Sequence, residues 1–385
     1  MIPYGRQDIN DADIAAVTEV LQSDFLTQGP AVPRFEKGVA AYCSAEHAVA
    51  VNSATSALHI ACLALGLGPS DILWTTPITF VASANCALYC GAQVDFVDID
   101  PHTFNLSVEA LKIKLDQAEK AGKLPKIIIP VHLCGLPCDM KAIGELSKKY
   151  GFSVIEDASH AIGGRYQGDP IGNCAYSDIT VFSFHPVKII TTGEGGIAVT
   201  NDSELSKKMS LLRSHGITRD PKLMTHEPDG GWYYQQIELG YNYRMTDIQA
   251  ALGLSQMSRL DEFVGRRHEL SMRYDELLQG LPVTPQYRPE DCYSGTHLYV
   301  IQLATEELSK PHKQIFSELR SAGIGVNLHY IPVHLQPWYQ SMGFKSGDYP
   351  QAEQYYARAL SLPLYPGLLD DQLLTVVNEL KRTLA

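Results

Sequence analysis

The residues of this chain that can do chemistry follow short apolar segments. Ser153–Ile155 is followed by Glu156–His160, and Thr180–Phe184 is followed by His185–Lys188. The segment Asn52–Ser56 follows the first apolar run and opens a predicted helix. Because ligands of open α/β sheets bind at the carboxyl ends of the strands, this topology alone brings a carboxylate, a lysine, hydroxyls and a helix N-terminus together.

These groups meet the requirements of pyridoxal phosphate. The Lys188 amine can form a Schiff base with the aldehyde. The Asp157 carboxylate can keep the pyridine nitrogen protonated, so that the ring accepts electrons. A helix N-terminus with small residues, here Ala54 and Thr55, suits the phosphate, and Ser183 adds a donor.

An aromatic side chain must cover the ring face, and Phe80 follows another apolar segment. Each of these residues also has an ordinary structural interpretation. A lysine is usually a solvated surface group, and an aspartate after a strand is often a helix cap. It is their joint placement that favours a pyridoxal phosphate site.

Composition and charge exclude several other classes of protein. Hydrophobic residues make up 45% and charged residues 19%, which is typical of globular proteins. The net charge of −12 provides no basic field to bind nucleic acid or a membrane surface. No apolar run approaches the ~18 residues of a membrane span. Neither a P-loop motif nor a dinucleotide-binding G-x-G-x-x-G after the first strand occurs.

Eight scattered cysteines and a polar N-terminus without a signal-peptide pattern predict free thiols and a cytoplasmic location. Two C-x3-C pairs, Cys86/Cys90 and Cys134/Cys138, have zinc-like spacing but no accompanying histidine pattern. We interpret them as small buried hydrophobic residues and predict no metal. We also expect His215, His226, His297 and His334 to be structural or solvent-facing.

Seven apolar segments alternate with helical stretches at 54–65, 79–90, 107–121 and 139–149. Because they are apolar at every position, they fit strands buried on both faces of a mostly parallel sheet. The last two segments are joined by a loop, which leaves room for one antiparallel strand. The segments are Ala48–Val51, Ile72–Trp74, Val94–Val97, Lys126–Val131, Ser153–Ile155, Thr180–Phe184 and Gly196–Thr200.

Helices are also predicted before and after this sheet. Two precede it, from the Asn10/Asp11 cap and over 33–42, and one long helix covers 246–278. A smaller α+β unit follows, with strands at 297–303 and 325–330 and helices at 309–322, 351–359 and 369–383. We therefore expect a large cofactor-binding domain over 1–260, which includes the N-terminal helical segment, and a small C-terminal domain over 261–385.

Four segments occur in the order of a known family: Asn52–His59, Glu156–Ala161, Ser183–Lys188 and Gly240–Met245. They resemble the sugar-nucleotide aminotransferases of the DegT/DnrJ/StrS type, and the resemblance covers nearly the whole chain. It implies an α/β, pyridoxal-phosphate-dependent transferase of fold type I, similar to aspartate aminotransferase. Such a fold has a large, mixed, mostly parallel seven-stranded sheet domain and a small C-terminal α+β domain.

The resemblance also implies roles for individual residues. Lys188 would carry the cofactor, Asp157 would pair with its ring nitrogen, and His160 would lie by the ring, where the family also uses Gln. Asn242 would reach the phosphate of a neighbouring subunit, which implies a homodimer with shared active sites. The other implied contacts are Ala54, Thr55 and Ser183 for the phosphate, and Tyr4, Phe25, Leu26, Thr27, His329 and Tyr330 for the sugar nucleotide.

Within the family, the segments Thr76–Ala82, Arg213–Ile217 and Asn242–Gly253 are most similar to the transaminases of pseudaminic acid biosynthesis. This similarity implies transfer of an amine from L-glutamate to C4 of a UDP-linked 4-keto-6-deoxy-N-acetylhexosamine, in ping-pong order through pyridoxamine phosphate. Arg6, Arg219 and Arg244 are candidate cations for the diphosphate.

Three alternatives stay open beside this interpretation. The acceptor can be another keto-sugar nucleotide aminated at C3 or C4, such as a perosamine or bacillosamine precursor. A sugar 3-dehydrase of the same family would carry His in place of Lys188. A non-catalytic regulator on the same scaffold would be indicated by loss of that lysine.

Overall fold

The computed structural model describes all of residues 1–385 and contains fifteen strands and thirteen α-helices. The strands are β1 His47–Val51, β2 Ile72–Thr75, β3 Gln93–Phe96, β4 Ile127–Ile129, β5 Ser153–Asp157, β6 Arg165–Tyr166, β7 Asp169–Pro170, β8 Ile179–Ser183, β9 Gly196–Thr200, β10 Ile217–Thr218, β11 Gln235–Gln236, β12 Val283–Pro285, β13 Cys292–Tyr293, β14 Tyr299–Leu303 and β15 Ala359–Leu362. The helices are α1 Asp11–Leu21, α2 Ala31–Cys43, α3 Ala54–Ala64, α4 Ala82–Tyr89, α5 Val108–Ala121, α6 Met140–Tyr150, α7 Ser203–Arg213, α8 Asp247–Met257, α9 Leu260–Leu277, α10 His312–Ser321, α11 Pro337–Gln340, α12 Pro350–Arg358 and α13 Asp370–Leu384.

The seven predicted apolar segments form one sheet, in the order β1-β9-β8-β5-β4-β2-β3. Only β9 runs antiparallel to its neighbours, β1 and β8, and the other pairs are parallel. The prediction of a mixed, mostly parallel seven-stranded sheet is confirmed. All the parallel strands therefore end at one edge of the sheet, where the loops after β5 and β8 lie.

The sheet is covered on both faces, and successive residues of a strand face different cores. In β4, Ile128 packs with α5 and α6 on one face, whereas Ile127 and Ile129 pack with α3 and α4 on the other. Both cores exclude water, which explains why these strands are apolar at every position rather than at every second one. The same layering fixes α3, whose N-terminus lies at the carboxyl edge of the sheet.

A second sheet, β12-β14-β15, is antiparallel and packs against α9, α10 and α13. The N-terminus of the chain lies against this unit. The Ile2 amide donates to the Gly323 carbonyl at 2.8 Å, and the Gly325 amide donates to the Ile2 carbonyl at 2.7 Å. A Cβ at Gly325 would lie 2.7 Å from that same carbonyl oxygen, so this approach requires glycine. The division of the chain into domains at residue 260 stays a prediction.

Two sequence predictions about this part of the chain are wrong. The long helix over 246–278 is two helices, α8 and α9, separated at Ser258 and Arg259. Arg259 instead forms salt bridges with Asp8 at 2.7 Å and with Asp13 at 2.6 Å, which join this break to the start of the chain. The segment 325–330 is not a strand, since it makes only one bridge to the small sheet, between Asn327 and Ser361.

No helix combines the length and the apolar character needed to span a bilayer. All eight cysteines are free thiols, and most of them are buried. No group of three or more His, Cys, Asp or Glu side chains is arranged to hold a metal ion. The cytoplasmic location inferred from the sequence stays a prediction.

Asp247, the first residue of α8, holds the loop before α2. Its buried carboxylate accepts hydrogen bonds from the amides of Gly29 at 2.7 Å, Ala31 at 2.6 Å and Val32 at 3.2 Å. Ala31 and Val32 belong to the first turn of α2, whose N–H groups have no acceptor within the helix. One carboxylate thus orders both the 25–30 loop and the start of α2.

We expect Asp247→Ala to lower the free energy of unfolding by about 2 kcal/mol, because the buried amides of Ala31 and Val32 and the partly buried amide of Gly29 lose their acceptor. The urea midpoint of unfolding, followed by circular dichroism, measures this loss. The matched control is Asp371→Ala, which removes an exposed first-turn aspartate of α13 and should change stability by less than about 0.5 kcal/mol. Equal midpoints for the two variants would contradict the role assigned to Asp247.

Candidate active site

A cavity of about 1010 Å³ lies at the carboxyl edge of the large sheet. Ten of the residues singled out from the sequence line it: Tyr4, Ala54, Thr55, Phe80, Asp157, His160, Ser183, Lys188, His329 and Tyr330. A larger groove of about 1420 Å³ lies elsewhere, between 100–109, 137–145 and 284–292. The groove contains none of these residues, so the cavity is the candidate active site.

Lys188 lies five residues beyond β8, in the loop that returns to β9. Burial lowers the pKa of its amine to about 8, while the negative charge of Asp157 acts in the opposite direction. A pKa near 8 leaves part of the amine uncharged at neutral pH, and the uncharged amine is the nucleophilic form. Lys188 is therefore able to attack a carbonyl carbon at physiological pH.

Asp157 ends β5 and is buried, and both of its carboxylate oxygens accept hydrogen bonds from neutral donors. The hydroxyl of Ser83 donates to Oδ2 at 2.6 Å, and the Ser159 amide donates to Oδ1 at 3.1 Å. The hydroxyl of Thr79 lies 2.8 Å from that of Ser83 and extends the chain of hydrogen bonds. Neutral donors fix the orientation of the carboxylate but leave its charge available to a cationic ligand.

The N-terminus of α3 forms the floor for an anion. The Ser53 side chain caps the helix by accepting from the Ser56 amide, which leaves the first-turn amides of Ala54 and Thr55 without an intrahelical acceptor. Strand β9 passes directly behind this turn, and a Cβ at Gly196 would lie 2.4 Å from the Ala54 nitrogen. Gly196 is thus required for the turn and the strand to approach this closely.

Phe80 exposes 58% of its surface and lines the cavity, with its ring centroid 6.3 Å from that of Tyr330. An exposed aromatic face beside a buried carboxylate, an amine and a helix N-terminus is complementary to pyridoxal phosphate. The aromatic ring, the ring nitrogen, the aldehyde and the phosphate of that cofactor each have a matching group in the cavity.

His160 is buried and lines the cavity, with its Nε2 atom 3.1 Å from the Tyr330 hydroxyl. Burial lowers its pKa well below the usual value, and the charge of Lys188 lowers it further. The imidazole is therefore neutral. His329 is in the same state, because burial lowers its pKa to about 3; its Nδ1 lies 2.8 Å from the Ser361 hydroxyl.

Four of the predicted residues do not line the cavity of a single chain. Phe25 and Leu26 are exposed, and Thr27 forms a backbone bridge with Thr246. The backbone carbonyl of Asn242 accepts from the Asn52 side chain at 3.4 Å, so Asn242 lies just outside the wall that Asn52 helps to form. Their implied roles stay predictions, as do those of Arg6, Arg219 and Arg244, which do not line the cavity either.

Several residues of the site were not predicted from the sequence. His297, which we expected to be structural or solvent-facing, lines the cavity with its ring 4.5 Å from that of His160, and its Nδ1 is buried without a partner. Ser83 and Thr79 were missed as well. The predicted helix over 79–90 gave no sign of their role, because α4 begins only at Ala82 and the hydrogen bond of Ser83 with Asp157 joins residues 74 positions apart.

Known proteins that are similar in sequence to this chain are aminotransferases, which agrees with a cavity complementary to pyridoxal phosphate. A sequence profile described as the DegT/DnrJ/EryC1/StrS aminotransferase family matches residues 7–381. The spore coat polysaccharide biosynthesis protein SpsC of Bacillus subtilis is 40% identical over 384 residues, covering 99% of this chain and 96% of the relative. The UDP-4-amino-4,6-dideoxy-N-acetyl-beta-L-altrosamine transaminase of Campylobacter jejuni is 37% identical over 390 residues, covering 99% of both.

Solved structures agree over the full length. PseC of Helicobacter pylori, an aminotransferase involved in the biosynthesis of pseudoaminic acid, superimposes with a TM-score of 0.91 at 32% identity, covering 100% of this chain and 99% of that one. Spr1654 of Streptococcus pneumoniae, described as a putative sugar aminotransferase and solved in PMP and PLP forms, superimposes with TM-scores of 0.89 and 0.88 at 32% identity, covering at least 99% of this chain and 98% of that one. The chain belongs to the DegT/DnrJ/EryC1/StrS aminotransferase family.

Proposed function

We propose that this aminotransferase uses pyridoxal phosphate to transfer the amino group of L-glutamate to C4 of a UDP-linked 4-keto-6-deoxy-N-acetylhexosamine. The observation that carries the chemistry is the pair formed by Lys188, with its lowered pKa, and the buried Asp157. The choice of sugar is supported by two relatives. The name of the Campylobacter jejuni transaminase states a UDP-linked 4-amino-4,6-dideoxy-N-acetyl sugar, and PseC is described as an aminotransferase of pseudoaminic acid biosynthesis.

Pyridoxal phosphate, when bound, supplies an electron sink for the carbon that exchanges the amine. Asp157 holds the proton on the ring nitrogen by Coulomb attraction, and Ser83 keeps the carboxylate oriented towards it. The amides of Ala54 and Thr55 and the hydroxyl of Ser183 bind the phosphate. Phe80 packs on the ring and excludes water from one face.

Lys188 has two tasks in sequence. Its Nζ would hold the cofactor through the aldehyde, and the same amine, when free, would move a proton between the substrate carbon and the cofactor. With one lysine and one cofactor for both substrates, we expect 2-oxoglutarate to leave before the keto-sugar binds, which gives ping-pong kinetics.

We propose further that the active sites are completed in a homodimer. Asn242 lies just outside the cavity of its own chain, within reach of Asn52. The neighbouring segment 217–239 exposes large apolar side chains, with Trp232 at 75% and Leu239 at 76% exposure. Apolar surface of this kind marks a contact face, and a second copy covering it would carry its own Asn242 towards the phosphate.

A second acceptor is favoured by one observation. SpsC, a protein of spore coat polysaccharide biosynthesis, is 40% identical to this chain, which is slightly more than the altrosamine transaminase. Another keto-sugar nucleotide, aminated at C3 or C4, is therefore the alternative substrate. The dehydrase and the non-catalytic regulator are disfavoured, because Lys188 is present and lies in the cavity with Asp157.

The sugar is tested with glutamate and a panel of keto-sugar nucleotides, with the product identified by mass spectrometry and NMR. Glutamate should bleach the cofactor absorbance, and the UDP-linked 4-keto-6-deoxy-N-acetyl sugar should restore it within one turnover. Fast recovery with a C3-keto or dTDP-linked sugar, and none with any C4-keto UDP-sugar, would reject the proposed substrate. Absence of bleaching by glutamate would reject the donor.

The role of Lys188 is tested by the capture of pyridoxal phosphate by the cofactor-free protein. Only the neutral amine reacts, so the capture rate should rise about tenfold per pH unit up to pH about 8 and level off above it. Lys188→Ala should leave no link that borohydride reduces, whereas Lys112→Ala, on the exposed face of α5, should retain it.

Asp157→Asn separates charge from packing in the same experiment. The Asp157 carboxylate raises the pKa of Lys188, so its removal should move the midpoint of the capture profile below pH 8. The same variant should slow turnover by about 100-fold or more, because the ring proton is lost. A midpoint that stays in place or moves up would contradict the coupling of the two groups.

Sharing of the sites is tested by mixing two inactive variants, Lys188→Ala and Asn242→Ala. In a mixed dimer, one of the two sites combines the native Lys188 of one subunit with the native Asn242 of the other. Each mixed dimer should therefore have about half of the activity of a native dimer. Lys188→Ala mixed with Lys188→Ala/Asn242→Ala is the control and should stay inactive. Mixed dimers that recover no activity would count against shared sites.

A further inference from the structure

The backbone amide of Cys134 fixes which nitrogen of His160 carries the proton. This amide points at Nδ1 of His160, at 3.3 Å. A backbone N–H can only donate, so Nδ1 must be the unprotonated nitrogen that accepts. The proton of the neutral ring therefore lies on Nε2, which is 3.1 Å from the Tyr330 hydroxyl oxygen. His160 accepts from one side and donates to Tyr330 on the other.

The donor is held in place by its surroundings. Cys134 adopts a left-handed conformation with φ 63°, and its carbonyl accepts from the His297 amide at 2.8 Å. The buried side chain of Asn105 accepts from the Leu133 amide at 2.9 Å. A Cβ at Gly135 would lie 2.6 Å from the His160 carbonyl oxygen, so the turn is pressed against the residue it orients. A strained, tightly packed turn of this kind keeps its amide in one direction.

The consequence appears at Tyr330. Its oxygen already accepts the Nε2 proton of His160, so its own proton must point away from His160, and Tyr330 lines the cavity. We infer that Cys134, His160 and Tyr330 form a hydrogen-bond relay that makes the Tyr330 hydroxyl a directed donor to an acceptor oxygen of the bound ligand. His160 is a positioning residue in this relay; the identity of the ligand rests on the proposed function.

The Tyr330 hydroxyl donates a hydrogen bond and does not give up its proton. Burial raises the pKa of this phenol far above its usual value, with the nearby Asp157 charge acting in the same direction. The ligand must therefore present an oxygen with a free lone pair to the Tyr330 hydroxyl. Two sources share that chemistry: the phenolic oxygen of the cofactor and an oxygen of the keto-sugar.

A double-mutant cycle tests the relay. Tyr330→Phe should lower kcat/KM by about tenfold, since it removes one hydrogen bond to the ligand. His160→Leu should cost at least as much, and the double variant should lose little more than His160→Leu alone, because both changes break one chain. His160→Gln should recover most of the loss, since its Oε1 accepts from Cys134 and its Nε2 donates to Tyr330.

The matched control pairs His160→Leu with Tyr4→Phe. Tyr4 also lines the cavity, but its ring packs on His329, 5.2 Å away, rather than hydrogen-bonding to His160. The fold-losses in kcat/KM of His160→Leu and Tyr4→Phe should therefore multiply in the double variant. If the fold-losses of His160→Leu and Tyr330→Phe multiply as well, the relay is overturned. A His160→Gln variant with no higher kcat/KM than His160→Leu would also overturn it.

The spectrum distinguishes the two ligand oxygens. If the cofactor is the acceptor, Tyr330→Phe changes the absorption of the substrate-free holoenzyme. If the sugar is the acceptor, that absorption stays the same and the KM for the keto-sugar rises. Either result supports a directed donor, and a variant with neither change would overturn it.

The tautomer is measured without substrate or cofactor, so its outcome is independent of the proposed function. In the ¹⁵N NMR spectrum of the imidazoles of the cofactor-free protein, the His160 signals are assigned by their loss in His160→Gln. They should show a proton on Nε2 and none on Nδ1 between pH 6 and pH 9. A protonated Nδ1, or a cationic ring in this range, would overturn the inference even in an active enzyme.

Discussion

The parallel pairing of β5 with β8 is the constraint on which the candidate site depends. Asp157 pairs with Val181 in this register, so the two strands end at the same edge of the sheet. The loop after β8 then has to turn back into the antiparallel β9, and Lys188 lies within that turn. A slip of the register by one residue would turn the Asp157 side chain to the opposite face of the sheet. The Lys188 amine and the Asp157 carboxylate are therefore brought together by the register of β5 with β8 and by the turn into β9.

The electrostatics of the cavity follow from this arrangement. His160, His297 and His329 all have pKa values lowered by burial, so none of them adds a positive charge near Lys188. Burial of Lys188 then lowers the pKa of its amine, and the charge of Asp157 limits the fall. Neutral imidazoles keep the amine reactive. We therefore expect the phosphate of the cofactor to be stabilised by the α3 amides rather than by charged imidazoles of the cavity wall.

The sequence predicted the parts of this structure that depend on local pattern. Continuous apolar segments predicted the seven strands. The polar residues that directly follow two of these segments predicted that Asp157 and Lys188 lie at the carboxyl ends of β5 and β8. The break at Ser258 was missed because Arg259 pairs with Asp8 and Asp13, some 250 positions away in the chain. Strand β15 was missed because it follows α12 without any turn residue. His297 and Ser83 were missed because tertiary packing alone aims their side chains at His160 and Asp157.

The cavity has two walls, and they differ in what they contribute. The carboxyl edge of the large sheet positions Asp157 at the end of β5, Lys188 in the loop after β8 and the N-terminus of α3. The opposite wall carries His329, which lies 2.8 Å from Ser361 of β15, and Tyr330 beside it. His160 and the Cys134 turn connect the two walls, since Tyr330 contacts the large sheet through the His160 imidazole. The residues to which we assign the chemistry are thus held at the edge of the large sheet, whereas Tyr330, the proposed donor to the ligand, depends on its hydrogen bond with His160. Substitutions in the second wall would therefore leave intact the β5–β8 register on which the placement of Lys188 near Asp157 depends.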